Sequence, residues 1–240
     1  MGIPVSVDVR GDDPRAAAAV AEAFDWLRDA DRRFSRFRAD SEVSRLGRGE
    51  LSAAALSDDL REVLAIADRA CERSGGAFCV RRPDGAIDTD GVVKGWAVQR
   101  AADMLVAAGL DRFCWNAGGD VTTRGEPEPG RGWRVAVRDP QDSQRFLAQV
   151  EVRDGAVATS GTYERGEHVW DGRTGMPATA LRSVTVVASD LTTADVLATS
   201  VLAMGPDGVS WAAAAGASAV IAVLEDGRLV TYLAGASATT

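Results

Sequence analysis

The hydrophobic period of this chain switches between the strand and helix repeats along its length without settling into a strand–helix–strand alternation. Residues 3–10 alternate, with Ile3, Val5, Val7 and Val9 on one face of a strand. Asp12, Asp13 and Pro14 carry the signals of a helix start, and the Ala-rich run after them predicts a helix to about Arg33. The polar stretch FSRFRADSEVSRLGRG suits a surface loop or short helical turn. A second helix is predicted over 54–74, stopped by Gly75 and Gly76, and a third from Lys94 to Ala108, closed by Gly109. RFCWNAGGDVTTRG predicts two strands around a glycine turn, and WRVAVRDP, FLAQVEVRDGAVATSG and LRSVTVVA supply further β-branched strands. Thr192 to Met204 is predicted helical, with a short helix near Trp211 and a final hairpin through an Asp-Gly turn. Mixed elements without a regular βαβ order predict an α+β fold, as one domain over 1–233 or two intimate subdomains, with 234–240 as a flexible tail.

Composition narrows the function classes. A chain of 240 residues with 46% apolar and 26% charged residues buries a sizeable core and is not generally disordered. A net charge of −8 argues against non-specific binding to nucleic acid or anionic membrane. No stretch reaches the ~18 apolar residues of a membrane span. The first residues lack the charged and apolar regions of a signal peptide. Cys71, Cys79 and Cys114 are scattered and odd in number, which fits free thiols in a reducing compartment rather than a disulfide framework or zinc site. With Met1 as the native start, a cytoplasmic location is expected.

Four polar clusters stand at junctions between elements, where ligands bind. Asp88-Thr-Asp90-Gly91-Val-Val-Lys94-Gly95 reads as a phosphate site at a helix start, or as a capped, solvated loop. Asn116-Ala-Gly118-Gly119-Asp120 lets backbone amides approach a ligand, and is equally good hairpin-turn chemistry. The run from Thr159 to Gly175 holds His168, the only histidine, as a proton-transfer group or a structural one. No GxSxG elbow surrounds Ser160, which disfavours serine-hydrolase chemistry. In Thr192-Thr193-Ala-Asp195-Val-Leu-Ala198-Thr199, Asp195 and Thr199 share a helix side and offer oxygens suited to magnesium; alternatively, Thr192 or Thr193 caps the helix and Asp195 sits in its favourable first turn.

In this order the clusters resemble the ApbE-type FAD:protein FMN transferases. The likeness runs through Met1-Gly2, Phe34 to Phe37, Asp40 to Leu46, Gly76 to Val80, Gly91 to Gly95, Asn116 to Asp120, Ser160 to Tyr163, His168 to Gly175 and Asp195 to Thr199. The resemblance implies an FAD site lined by Met1, Phe37, Ala77, Phe78, Cys79, Asp88 and Lys94. Asn116, Gly118, Gly119 and Asp120 would lie against the nucleotide, with Ser160 and Val169 contributed by the later motifs. It implies Mg2+, with Mn2+ as an alternative, held by Asp195, Thr199 and carbonyls near Gly91 and Ala198, and His168 near the reacting phosphate. The implied reaction transfers FMN from FAD to a Ser or Thr hydroxyl of an acceptor flavoprotein and releases AMP. The rivals are an FAD pyrophosphatase and a non-catalytic FAD-binding module. Departures are Phe37 where the family often has Tyr, Cys79 for Asp, Gly172 for Pro and Gly47 for Asn. The tail Ala234 to Thr240 loosely resembles the acceptor pattern, although a small-residue chain end accounts for it equally simply.

Overall fold

The computed structural model describes residues 2–82, 84–162 and 169–234. The expectations for Met1, His168 and the 235–240 tail lie outside the described residues.

Strand β1 (Val5–Val9) leads into α1 (Ala16–Phe34), the short α2 (Glu42–Gly47), α3 (Asp58–Arg73) and α4 (Asp90–Ala107). Then come β2 (Phe113–Ala117), β3 (Asp120–Arg124), β4 (Trp133–Arg138), β5 (Phe146–Val152), β6 (Gly155–Gly161), β7 (Trp170–Asp171), β8 (Met176–Pro177) and β9 (Leu181–Ala188). Helices α5 (Leu191–Met204) and α6 (Gly208–Ala214) precede the hairpin of β10 (Ala219–Leu224) and β11 (Leu229–Leu233). Seven strands form one sheet in the order β1-β2-β3-β6-β9-β10-β11, with each neighbouring pair antiparallel. Strands β4 and β5, and β7 and β8, form separate ribbons. This is the expected α+β class: an antiparallel sheet with helices packed on it rather than βαβ crossovers.

Helices α4 and α5 are the inner helices. They pack on each other, α5 lies on β6 and β9, and α1 covers α4. Both inner helices are apolar around most of their circumference, as buried helices are. Trp96 of α4 is buried with edge-on contacts to Trp26 and Phe34 of α1, at 5.4 and 5.3 Å between ring centroids.

Three helix starts differ from the sequence expectation. The predicted 54–74 helix splits into a 3-10 turn at Ala53–Ala55 and α3, because the Ser57 side chain accepts the Leu60 amide and caps the helix there. Helix α4 opens at Asp90 rather than Lys94, since Thr89 O accepts the first-turn amides of Val92 and Val93. The cap of α5 is Asp190, which accepts the Thr193 amide at 2.8 Å, rather than Thr192 or Thr193.

Candidate active site

The start of α4, the middle of α5, the end of β6 and the loop after α1 converge on a cavity of about 430 Å3. Asp195 and Thr199 lie one turn apart on α5, and both line it. The Ser160 hydroxyl on β6 is 3.0 Å from that of Thr199. Gly91 lines the same wall, and a Cβ there would stand 3.1 Å from Thr199 Cγ2 and 3.2 Å from the Phe78 ring. Glycine therefore lets the α4 backbone approach the Thr199 side chain closely.

The electrostatic centre is Lys94. Its ammonium lies 2.6 Å from Asp120 Oδ2 and 3.3 Å from Asp195 Oδ1. Asp195 is 1% exposed, and its Oδ2 accepts the Gly95 amide at 2.9 Å. Asp120 is 2% exposed and accepts the Thr159 amide at 2.9 Å. Burial pushes the Asp195 carboxyl above the usual carboxylate range; the Lys94 ammonium opposes this and the nearby Asp120 charge reinforces it. Burial draws Lys94 down, but the Asp120 and Asp195 charges outweigh it and raise its affinity for the proton. One ammonium thus serves two buried carboxylates, which when both ionised carry one negative charge more than it balances.

The helix pair is built for this contact. A Cβ at Gly95 would come within 2.6 Å of Leu191 O and 2.7 Å of Asp195 Cβ. Only glycine allows α4 and α5 to cross so closely that the Gly95 amide reaches the Asp195 carboxylate.

The cavity mouth carries a second polar group. Phe37 is 81% exposed, and the Arg36 guanidinium carbon lies 4.6 Å from its ring centroid. Arg36 pairs with Asp90 at 3.1 Å and with Asp88 at 3.4 Å. Burial raises the Asp88 carboxyl, and the Asp90 charge adds to this against Arg36 and Arg82. Arg82 lies 3.7 Å from Asp88 and 4.8 Å from the Trp170 ring.

The structure gathers most of the sequence-selected residues. Phe37, Phe78, Cys79, Asp88, Gly91, Lys94, Gly118, Ser160, Val169, Asp195 and Thr199 all line the cavity. Gly2, next to Met1, and Val169, next to His168, lie there too. Ala77 and Ala198 are buried and do not line it. Asn116 is exposed on β2 and accepts the Gly119 amide at 3.0 Å, so this turn is largely a self-contained hairpin. Of that turn only Gly118 reaches the cavity; Asn116, Gly119 and Asp120 do not. Sequence reasoning missed Arg36, Asp90 and Trp170 as individual lining residues, although each falls inside a quoted motif.

The oxygen donors fit a hard divalent cation. Asp195 Oδ1, the Thr199 hydroxyl and the backbone at Gly91 meet on one wall, and a lysine ammonium already approaches that carboxylate oxygen. Among the described residues there is no group of three or more His, Cys, Asp or Glu side chains able to hold a metal. Any cation at this wall would therefore have to draw on hydroxyl and carbonyl oxygens beside one carboxylate.

The fold has close counterparts among solved structures. The flavin transferase ApbE from Vibrio cholerae superposes with a TM-score of 0.83 at 24% identity, covering 98% of this chain and 94% of that one. The apo form of the Pseudomonas stutzeri flavinyl transferase ApbE gives 0.77 at 25% identity, covering 96% and 93%. Residues 1–82 and 79–222 match the ApbE family model, and the chain belongs to the ApbE family. Among curated relatives, the FAD:protein FMN transferase of Vibrio cholerae serotype O1 is 34% identical over 135 residues, 52% of this chain and 40% of that protein. Its namesake in Escherichia coli K12 is 33% identical over 135 residues, 52% of this chain and 38% of that protein. The matched region thus spans about two-fifths of these relatives' length.

Proposed function

We propose that this protein transfers the FMN part of FAD to a Ser or Thr hydroxyl of an acceptor flavoprotein and releases AMP, with a divalent metal. The observation that carries the reading is the wall where Asp195, Thr199, Gly91 and Lys94 meet inside a cavity large enough for a nucleotide portion. Family membership and the relatives named FAD:protein FMN transferase support it.

Each group has work in that reaction. Phe37 offers an exposed ring for stacking a flavin or adenine, and Arg36 braces it. Asp195 and Thr199, with backbone oxygen near Gly91, would hold the ion, which when bound supplies charge neutralisation at the pyrophosphate. The acceptor oxygen forms a bond to the FMN phosphorus, the pyrophosphate P–O bond breaks, and AMP carries away the bridging oxygen. His168, which the family resemblance puts near the reacting phosphate, would take the acceptor proton or orient the phosphate. Magnesium suits the oxygen donors, with manganese as the alternative. The scattered, odd-numbered cysteines Cys71, Cys79 and Cys114 are the basis for proposing a reducing, cytoplasmic setting. Among the described residues no helix is long and apolar enough to cross a membrane.

Incubation with FAD, Mg2+ and a candidate acceptor tests the proposal. Acceptor mass should rise by one FMN phosphoryl adduct, with AMP released in equal amount. Free FMN with AMP and no adduct, across acceptors bearing Ser or Thr sites, would identify a pyrophosphatase instead. Bound FAD without turnover would identify a binding module.

A further inference from the structure

We propose that Asp120 is a positioning residue for the divalent site: it holds the Lys94 ammonium toward β3 and keeps Asp195 Oδ1 open to a cation. The inference rests on the metal-assisted reading above.

Asp120 sits in the glycine-turn motif, where the family resemblance placed it against the nucleotide. The structure gives it different neighbours. It is 2% exposed and does not line the cavity. One carboxylate oxygen is fixed by the Thr159 amide of β6, and the other stands 2.6 Å from Lys94 Nζ. The Lys94 side chain, 24% exposed, makes this contact and also lines the cavity. Its ammonium is shared unequally, closer to Asp120 than to Asp195 at 3.3 Å.

That inequality matters because an ammonium and a divalent ion want the same oxygen. Asp195 Oδ2 is occupied by the Gly95 amide, so Oδ1 is the atom left for a metal. Without the Asp120 charge, Lys94 has Asp195 as its remaining carboxylate and competes with any ion arriving there. The charge count moves in the same direction. With both carboxylates ionised, Lys94, Asp120 and Asp195 sum to one negative charge; removing that of Asp120 leaves zero and weakens the attraction for a cation. Gly118 and Gly119, both at positive φ, form the tight turn that sets Asp120 at the first position of β3, facing Lys94.

Binding of Mn2+ to the FAD-free protein, monitored by the electron paramagnetic resonance of the free ion, tests this without reference to turnover. Asp120→Asn is nearly isosteric and keeps an acceptor for Thr159. It should weaken Mn2+ binding about tenfold or more. Asp120→Ala serves as the second variant should the asparagine protein fold poorly. In a Lys94→Gln background the same substitution should cost much less, because the competing ammonium is gone. Wild-type Mn2+ affinity in a folded Asp120 variant overturns the inference, as does a loss that is undiminished without Lys94, which shows Asp120 acting by its own charge or as a structural prop rather than by holding the ammonium. Absence of Mn2+ binding by the unmodified protein both without and with FAD overturns the metal-assisted reading and this inference together.

Discussion

Gly95→Ala tests the helix crossing on which the site depends. The added Cβ would stand 2.6 Å from Leu191 O and 2.7 Å from Asp195 Cβ. Neither is the free end of a flexible side chain, so α4 and α5 must separate. Overpacking of this kind costs about 1–3 kcal/mol. Separation also weakens the 2.9 Å bond from the Gly95 amide to the Asp195 carboxylate. A hydrogen bond to a charged group contributes about 1.5–3 kcal/mol. Alanine returns only about 0.5–1 kcal/mol through helix propensity. The net loss is about 2–4 kcal/mol, which lowers the melting temperature of a chain this size by about 5 °C or more. Circular dichroism melting measures it. Gly47→Ala is the control: it lies in α2 without positive φ, and its Cβ would find nothing nearer than Ile87 N at 3.8 Å. Its melting temperature should move by no more than about 2 °C. An alanine at position 95 that melts at or above the wild-type temperature refutes the close-crossing argument.

The site and its surroundings yield three more outcomes. Asp195→Ala should abolish Mg2+-dependent FAD cleavage while Thr199→Ser keeps much of it, read by titrating Mg2+ with and without chelator; full activity in the chelator removes the metal role. His168→Ala should leave FAD affinity nearly intact, checked by flavin fluorescence, and slow transfer about 10²–10⁴-fold; near-normal turnover at saturating FAD makes the histidine structural. Burial pushes the Cys114 thiol up to about 11, with the Asp8 charge adding and Arg10 opposing. Its alkylation by iodoacetamide, monitored by peptide mass, should therefore be slow at pH 8 and rise about tenfold per pH unit toward 11, since the thiolate is the reactive form; a plateau below pH 9 contradicts the burial argument.

What the sequence disclosed reflects the range of the forces involved. Periodicity and turn residues are local, so β1, α5 and the β10–β11 hairpin lie close to where the pattern puts them. Helix starts shifted because caps depend on which side chain turns back to the first amides: Asp190 rather than either threonine for α5, Ser57 for α3. The pairing of Asp195 with Thr199 was legible because both are on one helix face. The pairing of Lys94 with Asp120 was not, because it requires β3 to lie beside α4. The Arg36 contacts with Asp88 and Asp90 likewise join a loop after α1 to the start of α4.

Gly172 shows the same limit at a departure from the family pattern. By sequence it merely replaces a common proline. In the fold its amide donates to Ala77 O at 2.8 Å, and a Cβ there would meet Gly76 O at 2.3 Å. Proline has no amide hydrogen to give and brings a ring into that space, so this packing of the β7 end against residues 76–77 excludes it. Those residues lead into Phe78 and Cys79 on the cavity wall. The substitution is therefore tied to how this chain seats one wall of its cavity, a consequence visible only once residues nearly a hundred positions apart are in contact.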